Sequence, residues 1–572
     1  MIWIPVVLAA LGSPRAGVVP LTAQELDRAI AAEWRRRGIV PAQPVDDAGF
    51  IRRAYLDLTG VIPPPEAVVA FVADPAPNRR QRLIDQLLRQ DRYAEHFTNY
   101  WEGVLFPRGR KRRSGDIDRH AFRAWFRERL AAGLGWDRLV YELLTAEGIN
   151  SVGGPRDPAT GAAMGADTPA PGAVNGAVNF LLPFERNPQD LGGVVARELL
   201  GVQIQCAQCH DHPTERWKQE HFRRFVAALA RLRVRRIDTG PVRGVRRIEV
   251  SDGPKPIAAG PDEPELRAIA QAKPMALDGT DLSGPNPRQA LAAWITSPQN
   301  PWFARVLVNR YWAYLIGRGF CEPVDDLRPS NPVTMPSLLD RLARDFAAHG
   351  FDLRRLIRLI TATRVYQLSA GPCRDPDPEH RLWPRYRLRP LGPNELLDSI
   401  VAATGFDQAL QQATARGDEL ERVRQRLRES FSFLFEVDEE VAPPGYLGTV
   451  QQALYLLNGS LVHHATRAAP GSALVTVLQG PGDDQARIRA LYLRTLSRPP
   501  DPTELASWLA FLSAPRELVH EPPPGRHRPP QGPDPLRSVA ARLRPPPPTP
   551  RQQAFEDMMW VLINSSEFVF RH

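Results

Sequence analysis

Cys206 and Cys209 stand three residues apart, and His210 follows directly, continued by Asp211-His212-Pro213. This C-x-x-C-H spacing is that of covalent c-type haem attachment. The reason is geometric. Two thiols at this separation match the two vinyl groups on one edge of a porphyrin. The histidine that follows is then held beneath the ring, where an imidazole nitrogen binds iron. The distal position is not fixed by the sequence. His212 is too close to His210 to reach the opposite face. It fits a supporting or propionate contact, as do Asp211 and Trp217. His221 would lie about 16 Å from His210 along a continuous helix, and closer if the chain turns at Pro213. Met164 and Met275 are further candidates. An iron left open on that side favours ligand binding or peroxide chemistry over simple electron transfer.

Two other readings stay open. Cys206, Cys209, His212 and His221 offer four ligands for a tetrahedral, structural zinc ion. A disulfide or a free thiol pair needs no metal. Cys321 and Cys373 are the other cysteines and read as free thiols, so there is no disulfide framework. Weaker candidates for acid–base chemistry are Asp325 and Asp326, beside Glu322 and Arg328, and the pair Glu395 and Asp398. Paired carboxylates hydrolyse glycans, but such residues serve more often as helix caps and ion pairs. No phosphate loop, nucleotide fingerprint or nucleophile elbow occurs.

The elements that must carry these residues read as helices. Apolar steps of three and four residues predict helices over Ala23–Arg37, Asp46–Leu58, Pro65–Val72, Arg79–Arg89, Arg92–Val104, His120–Ala131 and Asp137–Thr145. A long Gly/Pro/Ala-rich loop follows over Gly148–Val178, placed to cover the C-x-x-C-H stretch. A helix over Asp190–Gln205 would deliver Cys206, and a second would begin near Trp217 or Gln219. Val234–Val250 reads as a small hairpin. Further helices are predicted over Pro301–Leu315, Ser337–His349, Asp352–Thr363, Asn394–Gly405, Leu420–Phe431, Ile488–Ser497 and Phe555–Ile563. Gly350 is placed to end one helix and Asp352 to cap the next.

The 572 residues suffice for more than one domain. The division read from composition is a signal-like segment at 1–22, a helical domain at 23–253, a linker at 254–287 and a second helical domain at 288–572. An exposed, extended Pro-rich insertion is expected at 521–550. The apolar stretch Ile2–Leu11 lacks a basic flank before it. No stretch has the length of a membrane span. The net charge is +9, yet Lys111, Lys218, Lys255 and Lys273 are the only lysines among 73 Lys and Arg. The arginines are interleaved with acids over the whole length, which reads as compositional bias and not as a specific nucleic-acid surface. The one dense run, Arg108–Arg113, reads as a solvated loop.

Several long phrases carry a family resemblance. Phe50-Ile51-Arg52-Arg53-Ala54-Tyr55-Leu56-Asp57-Leu58-Thr59-Gly60-Val61-Ile62-Pro63 and Leu200–Pro213 resemble a planctomycete domain family of unknown function named for its association with cytochromes, the second PSCyt family. Asn300–Arg305, Val308–Trp312, Gly317–Phe320, Pro323–Arg328, Leu496–Pro500 and Asn564–Phe568 resemble its partner, the planctomycete PSD domain, also of unknown function. The resemblance implies an exported or periplasmic protein, associated with polysaccharide or with carbohydrate-active enzymes. It supplies no reaction. Thr214 departs from the usual phenylalanine, the Pro-rich insertion is unusual, and no separate cytochrome domain precedes the pair, which leaves the redox partner unidentified. The expectation is therefore a mainly α protein of two helical domains with a small β-hairpin between them. Its haem c, or alternatively zinc, sits at Cys206, Cys209 and His210, and it serves electron transfer or oxidative chemistry linked to polysaccharide breakdown. A helical binding scaffold and a hydrolase using the carboxylates stand as alternatives.

Overall fold

The computed structural model describes residues 19–106, 116–154, 174–237, 244–414, 417–435, 449–515, 535–543, 545 and 547–572. The N-terminal signal-like stretch up to residue 18, the basic run Arg108–Arg113, Met164 and most of the 148–178 loop and of the Pro-rich insertion lie outside these residues.

Local signals in the sequence set the helix ends. Thr22 and Glu25 form a reciprocal capping box at the start of Ala23–Arg37, and Gly38 ends that helix in the left-handed conformation. Asp46 caps Asp47–Thr59 by accepting from the Gly49 N–H. Proline occupies the first turn of Pro65–Ala73, Pro188–Leu200, Pro336–Ala348, Pro393–Thr404 and Pro550–Ile563, where its missing N–H costs nothing. Asp352 caps Leu353–Thr361 as expected, and Gly350 sits at φ +69°. The protein is mainly helical with small antiparallel sheets. The predicted hairpin is present as Leu232–Arg236 paired with Ile248–Asp252, and Gly148–Ile149 adds a third strand. No helix among the described residues is long and apolar enough to cross a membrane.

The chain forms two compact units that do not follow its order. Among the described residues, unit 1 draws on those within 19–44, 97–154 and 174–387, and unit 2 on those within 45–96 and 388–572. The 254–287 stretch, read from composition as the linker, lies inside unit 1. It carries the helix Pro264–Gln271, which buries Leu266 and Ile269.

In unit 1 the ends of the 148–178 loop are pinned by a buried amide knot. Asn150 Nδ2 donates to the Asp116 carbonyl at 2.8 Å, and Asn150 Oδ1 accepts from the Ile248 N–H at 2.8 Å. Asn179 Nδ2 donates to the Asn150 carbonyl at 3.0 Å, and Asn179 Oδ1 accepts from the Asp118 N–H at 2.7 Å. Arg288, almost fully buried, donates to the Leu144 and Ala146 carbonyls and pairs with Asp252 at 2.9 Å.

Unit 2 is organised by Arg52. It is buried, donates to the Thr495 carbonyl at 2.7 Å, Ser497 Oγ at 3.3 Å and the Phe568 carbonyl at 3.1 Å, and lies over the Phe568 ring. Burial pushes its pKa down to about 10, so it stays charged at neutral pH. Beside it, Asp57 pairs with Arg571 at 3.0 Å, and Arg571 also holds Glu395 at 2.8 Å. Residues 535–543, part of the insertion expected to be exposed and extended, instead turn inward. They bury Leu536, Val539 and Leu543, which are spaced to share one side, in the unit 2 core.

Two outcomes follow. Arg52→Ala strands three buried acceptors and leaves a void, so urea unfolding monitored on unit 2 should lose about 3 kcal/mol or more. His96 is fully buried beside Gly60, and burial together with Arg571 and Arg92 pushes its pKa down to about 3. The unfolded chain then binds a proton below pH ~6.5 that the folded chain refuses. The stability from neutral His96 is complete above pH ~6.5 and falls as pH drops toward 3. A thermal-melt series over that range should show the loss, and His96→Gln should flatten it.

Candidate functional site

The Pro188–Leu200 helix begins at Asn187, whose side chain accepts from the Asp190 N–H, and ends at Gly201 with φ 65°. The helix expected to run to Gln205 therefore stops five residues early. A left-handed residue breaks the helix, and a Cβ on Gly201 would lie 3.1 Å from Val306 Cγ2 and 3.2 Å from Leu327 Cδ1. Only glycine meets both demands. The chain then enters a short 3₁₀ turn, Gln205–Gln208.

That turn sits on the glycine face of the helix it leaves. A Cβ on Gly193 would be 3.0 Å from Gln205 Cγ, and Gln205 Nε2 donates to the Gly193 carbonyl at 3.1 Å. Ala207 points inward and is fully buried. Cys206 and Cys209 point outward as exposed free thiols, and His210 is exposed beside them. The next helix, Gln219–Ala227, packs Val226 against Gly192, where a Cβ would come within 2.6 Å of Val226 Cγ2. Trp217 is buried beneath the turn. Its carbonyl accepts the His212 N–H at 2.8 Å, Arg216 stacks over its ring, and His221 meets it edge-on.

Hydrogen bonds separate the three histidines. His210 Nδ1 lies 2.7 Å from the Asp211 carbonyl oxygen, which only accepts, so Nδ1 carries the proton and Nε2 presents a lone pair. His212 Nδ1 accepts from the Thr214 and Glu215 N–H groups at 3.3 and 3.1 Å. His221 Nδ1 accepts from the Lys218 N–H at 3.1 Å. In these two the neutral ring carries its proton on Nε2, and neither nitrogen offers a lone pair to a metal. Among the described residues no three His, Cys, Asp or Glu side chains are grouped to hold a metal ion. The four-ligand set Cys206, Cys209, His212 and His221 is thus not assembled. Met275 is engaged elsewhere: its N–H donates to the Arg224 carbonyl at 3.1 Å, and its sulfur accepts from Arg224 at 3.6 Å.

A segment about 120 residues downstream builds the site's flank. The Leu327 N–H donates to the Gly201 carbonyl at 2.9 Å, Gln203 Nε2 donates to the Asp325 carbonyl at 3.2 Å, and Ser330 bonds Glu215. Arg310 pairs with buried Glu198 at 2.6 Å, and Arg197 bridges Glu198 and Asp325. Asn309 ties this loop down, donating to the Cys321 and Val324 carbonyls and accepting from the Phe320 and Cys321 N–H groups. Cys321 is a buried free thiol whose pKa burial pushes up to about 12, so it is inert as a nucleophile.

The carboxylate candidates do not form one constellation. Asp325 and Asp326 belong to unit 1, and Glu395 and Asp398 to unit 2. Asp325 faces Arg197, Asp326 pairs with Arg328 at 2.9 Å, Glu395 pairs with Arg571, and Asp398 pairs with Arg92 and Arg428. Burial raises the pKa of Asp326 and Asp398. Their geometry is that of ion pairs. Of the residues that support the turn, Gln203 and Gln205 fall in the Leu200–Pro213 phrase, while Gln219 and Ser330 carry no motif of their own. Only their nearness in sequence to Cys206, or to the 323–328 phrase, marks them.

Residues 25–234 match the PSCyt2 family model, a protein of unknown function (DUF1549), and residues 287–431 match the PSD1 model, a protein of unknown function (DUF1553). The phrases at 496–500 and 564–568 lie beyond the matched span. No curated protein and no solved structure matches.

Gly201→Ala forces a strained φ and a clash into the turn's base. It should cost about 1–3 kcal/mol in denaturant unfolding and should speed hydrogen exchange at the Ala207 amide, which bonds the Ile204 carbonyl.

Proposed function

We propose that this chain, which carries a PSCyt2 domain and a PSD1 domain, is an exported redox protein with haem c held at Cys206, Cys209 and His210. The observation that carries the reading is the histidine tautomer set. Of the three histidines around the turn, His210 alone presents a free Nε2, and it does so directly beside two exposed free thiols. The same carbonyl-donating Nδ1 is how iron- and zinc-ligating histidines are commonly oriented.

In this reading Cys206 and Cys209 would hold the porphyrin through thioethers, and His210 Nε2 would ligate its iron. The group supplies one-electron chemistry when bound. The chain supplies the rest. Buried Ala207 holds the turn against unit 1, the Asp211 carbonyl keeps the proton on His210 Nδ1, and Trp217 fixes His212. Neither His212 nor His221 offers a second ligand, and Met275 is engaged by Arg224. With Met164 outside the described residues, the reading assigns electron transfer or oxidative chemistry linked to polysaccharide breakdown, with a separate redox partner. Attachment of haem c on the exported side of a membrane supports the location.

The chain exported from a host with cytochrome c maturation machinery should show a Soret band that survives acid–acetone extraction, and a mass raised by one haem. Cys206→Ala together with Cys209→Ala should abolish the covalent fraction, and with both chains made haem-free its thermal midpoint should stay near that of wild type, because exposed thiols contribute little to packing. Colourless protein of unmodified mass overturns the reading.

A further inference from the structure

Gln219 opens the helix after the turn, and all three of its polar contacts reach back into the motif. Its side-chain Nε2 donates to the Gln208 carbonyl at 3.0 Å and to the Cys209 carbonyl at 3.3 Å. Its backbone N–H donates to Asp211 Oδ1 at 2.9 Å. These bonds grip the chain on both sides of His210. Cys209, His210 and Asp211 are exposed, so water would satisfy the same acceptors, and exchanging water for an amide adds little net stability. The consequence of the contacts is therefore shape. With Gln205 anchored on Gly193 from below, the turn is held from one side by the preceding helix and from the other by the following one.

We propose that Gln219 is the positioning residue of the attachment site: its amide fixes the separation and direction of the two thiols, so that both reach one porphyrin edge. The proposal rests on the haem reading above. Each thiol adds its S–H across a vinyl double bond. Sulfur bonds to the carbon next to the ring, hydrogen goes to the terminal carbon, and nothing is oxidised or released. The second addition depends on the geometry left by the first. A turn freed from its clamp therefore completes one thioether and misplaces the other thiol.

The test uses the full chain as wild type, Gln219→Ala, Gln219→Glu and Gln219→Lys, each produced with and without the maturation machinery. Both additions retain every atom of the haem, so mass alone does not separate one thioether from two. Free thiols are counted by alkylation under denaturing conditions, and residual vinyl is read from the α band of the pyridine haemochrome. Gln219→Ala and Gln219→Glu should lower the doubly attached fraction several-fold. Gln219→Lys, which restores a donor to the two carbonyls, should recover most of it. In the haem-free protein the Cys206–Cys209 dithiol potential should shift in Gln219→Ala and return in Gln219→Lys. A fully attached wild type with an equally attached Gln219→Ala overturns the proposal and leaves the haem reading intact. A wild type without haem overturns that reading, and the dithiol potential then decides whether Gln219 sets the thiol geometry; no shift sinks it.

Discussion

A buried guanidinium cannot shed its charge at neutral pH and must find acceptors for a fixed fan of N–H donors. This constraint shapes both units. Arg52, Arg53, Arg288 and Arg310 are among the largest fully buried side chains. The acceptors of the first three are largely main-chain carbonyls from segments far away in sequence: Thr495 and Phe568 for Arg52, His572 for Arg53, Leu144 and Ala146 for Arg288. Arg310 instead takes the carboxylate of Glu198. A carbonyl is fixed by backbone path, so each of these arginines specifies where a remote segment must pass. Removing the side chain leaves both a void and stranded acceptors, which is why such hubs are felt more strongly than surface ion pairs.

The long phrases in the sequence acquire a physical meaning in this light. Arg52 in the Phe50–Pro63 phrase bonds both the Thr495–Ser497 turn and the Phe568 carbonyl, so three stretches separated by hundreds of residues form one joint. Arg498 fastens the same joint through Glu567 and Glu504. In unit 1 the Val308–Trp312 phrase provides Asn309, which holds the 320–324 backbone, and Arg310, which reaches Glu198 on the helix leading to Cys206. The arginine enrichment that composition presents as a diffuse bias thus includes a small set of residues on which chain topology rests.

Legibility followed the range of the signal. Helix starts at Asp46, Pro65 and Asp352 are readable because capping acts within four residues, whereas the starts at Pro188, Pro336, Pro393 and Pro550 lie one to five residues before those the apolar steps mark. The early stop at Leu200 was harder. Gly201 is a normal terminator, but the apolar spacing continues past it through Val202, and the left-handed φ that ends the helix is a backbone property the spacing does not carry. The candidate residues Cys206, Cys209 and His210 are marked by spacing alone. Their support is not, since the Asp325–Ser330 loop that flanks them comes from beyond the apparent linker. The same distance hid the fact that Asp325 and Asp326 share a unit with the C-x-x-C-H turn while Glu395 and Asp398 do not. The buried side of residues 535–543 was masked by the prolines around it.

The turn itself shows a division between what holds it and what it offers. Ala207, Gln205, Gly193, Gly201 and Trp217 are engaged with the body of unit 1. Cys206, Cys209 and His210 add almost nothing to that packing: their side chains are exposed, and the main-chain bonds near them would form with other side chains in their place. An exposed thiol pair is a chemical liability, open to oxidation and exchange, and nothing in the packing requires it. Packing therefore does not account for the residue types at these three positions.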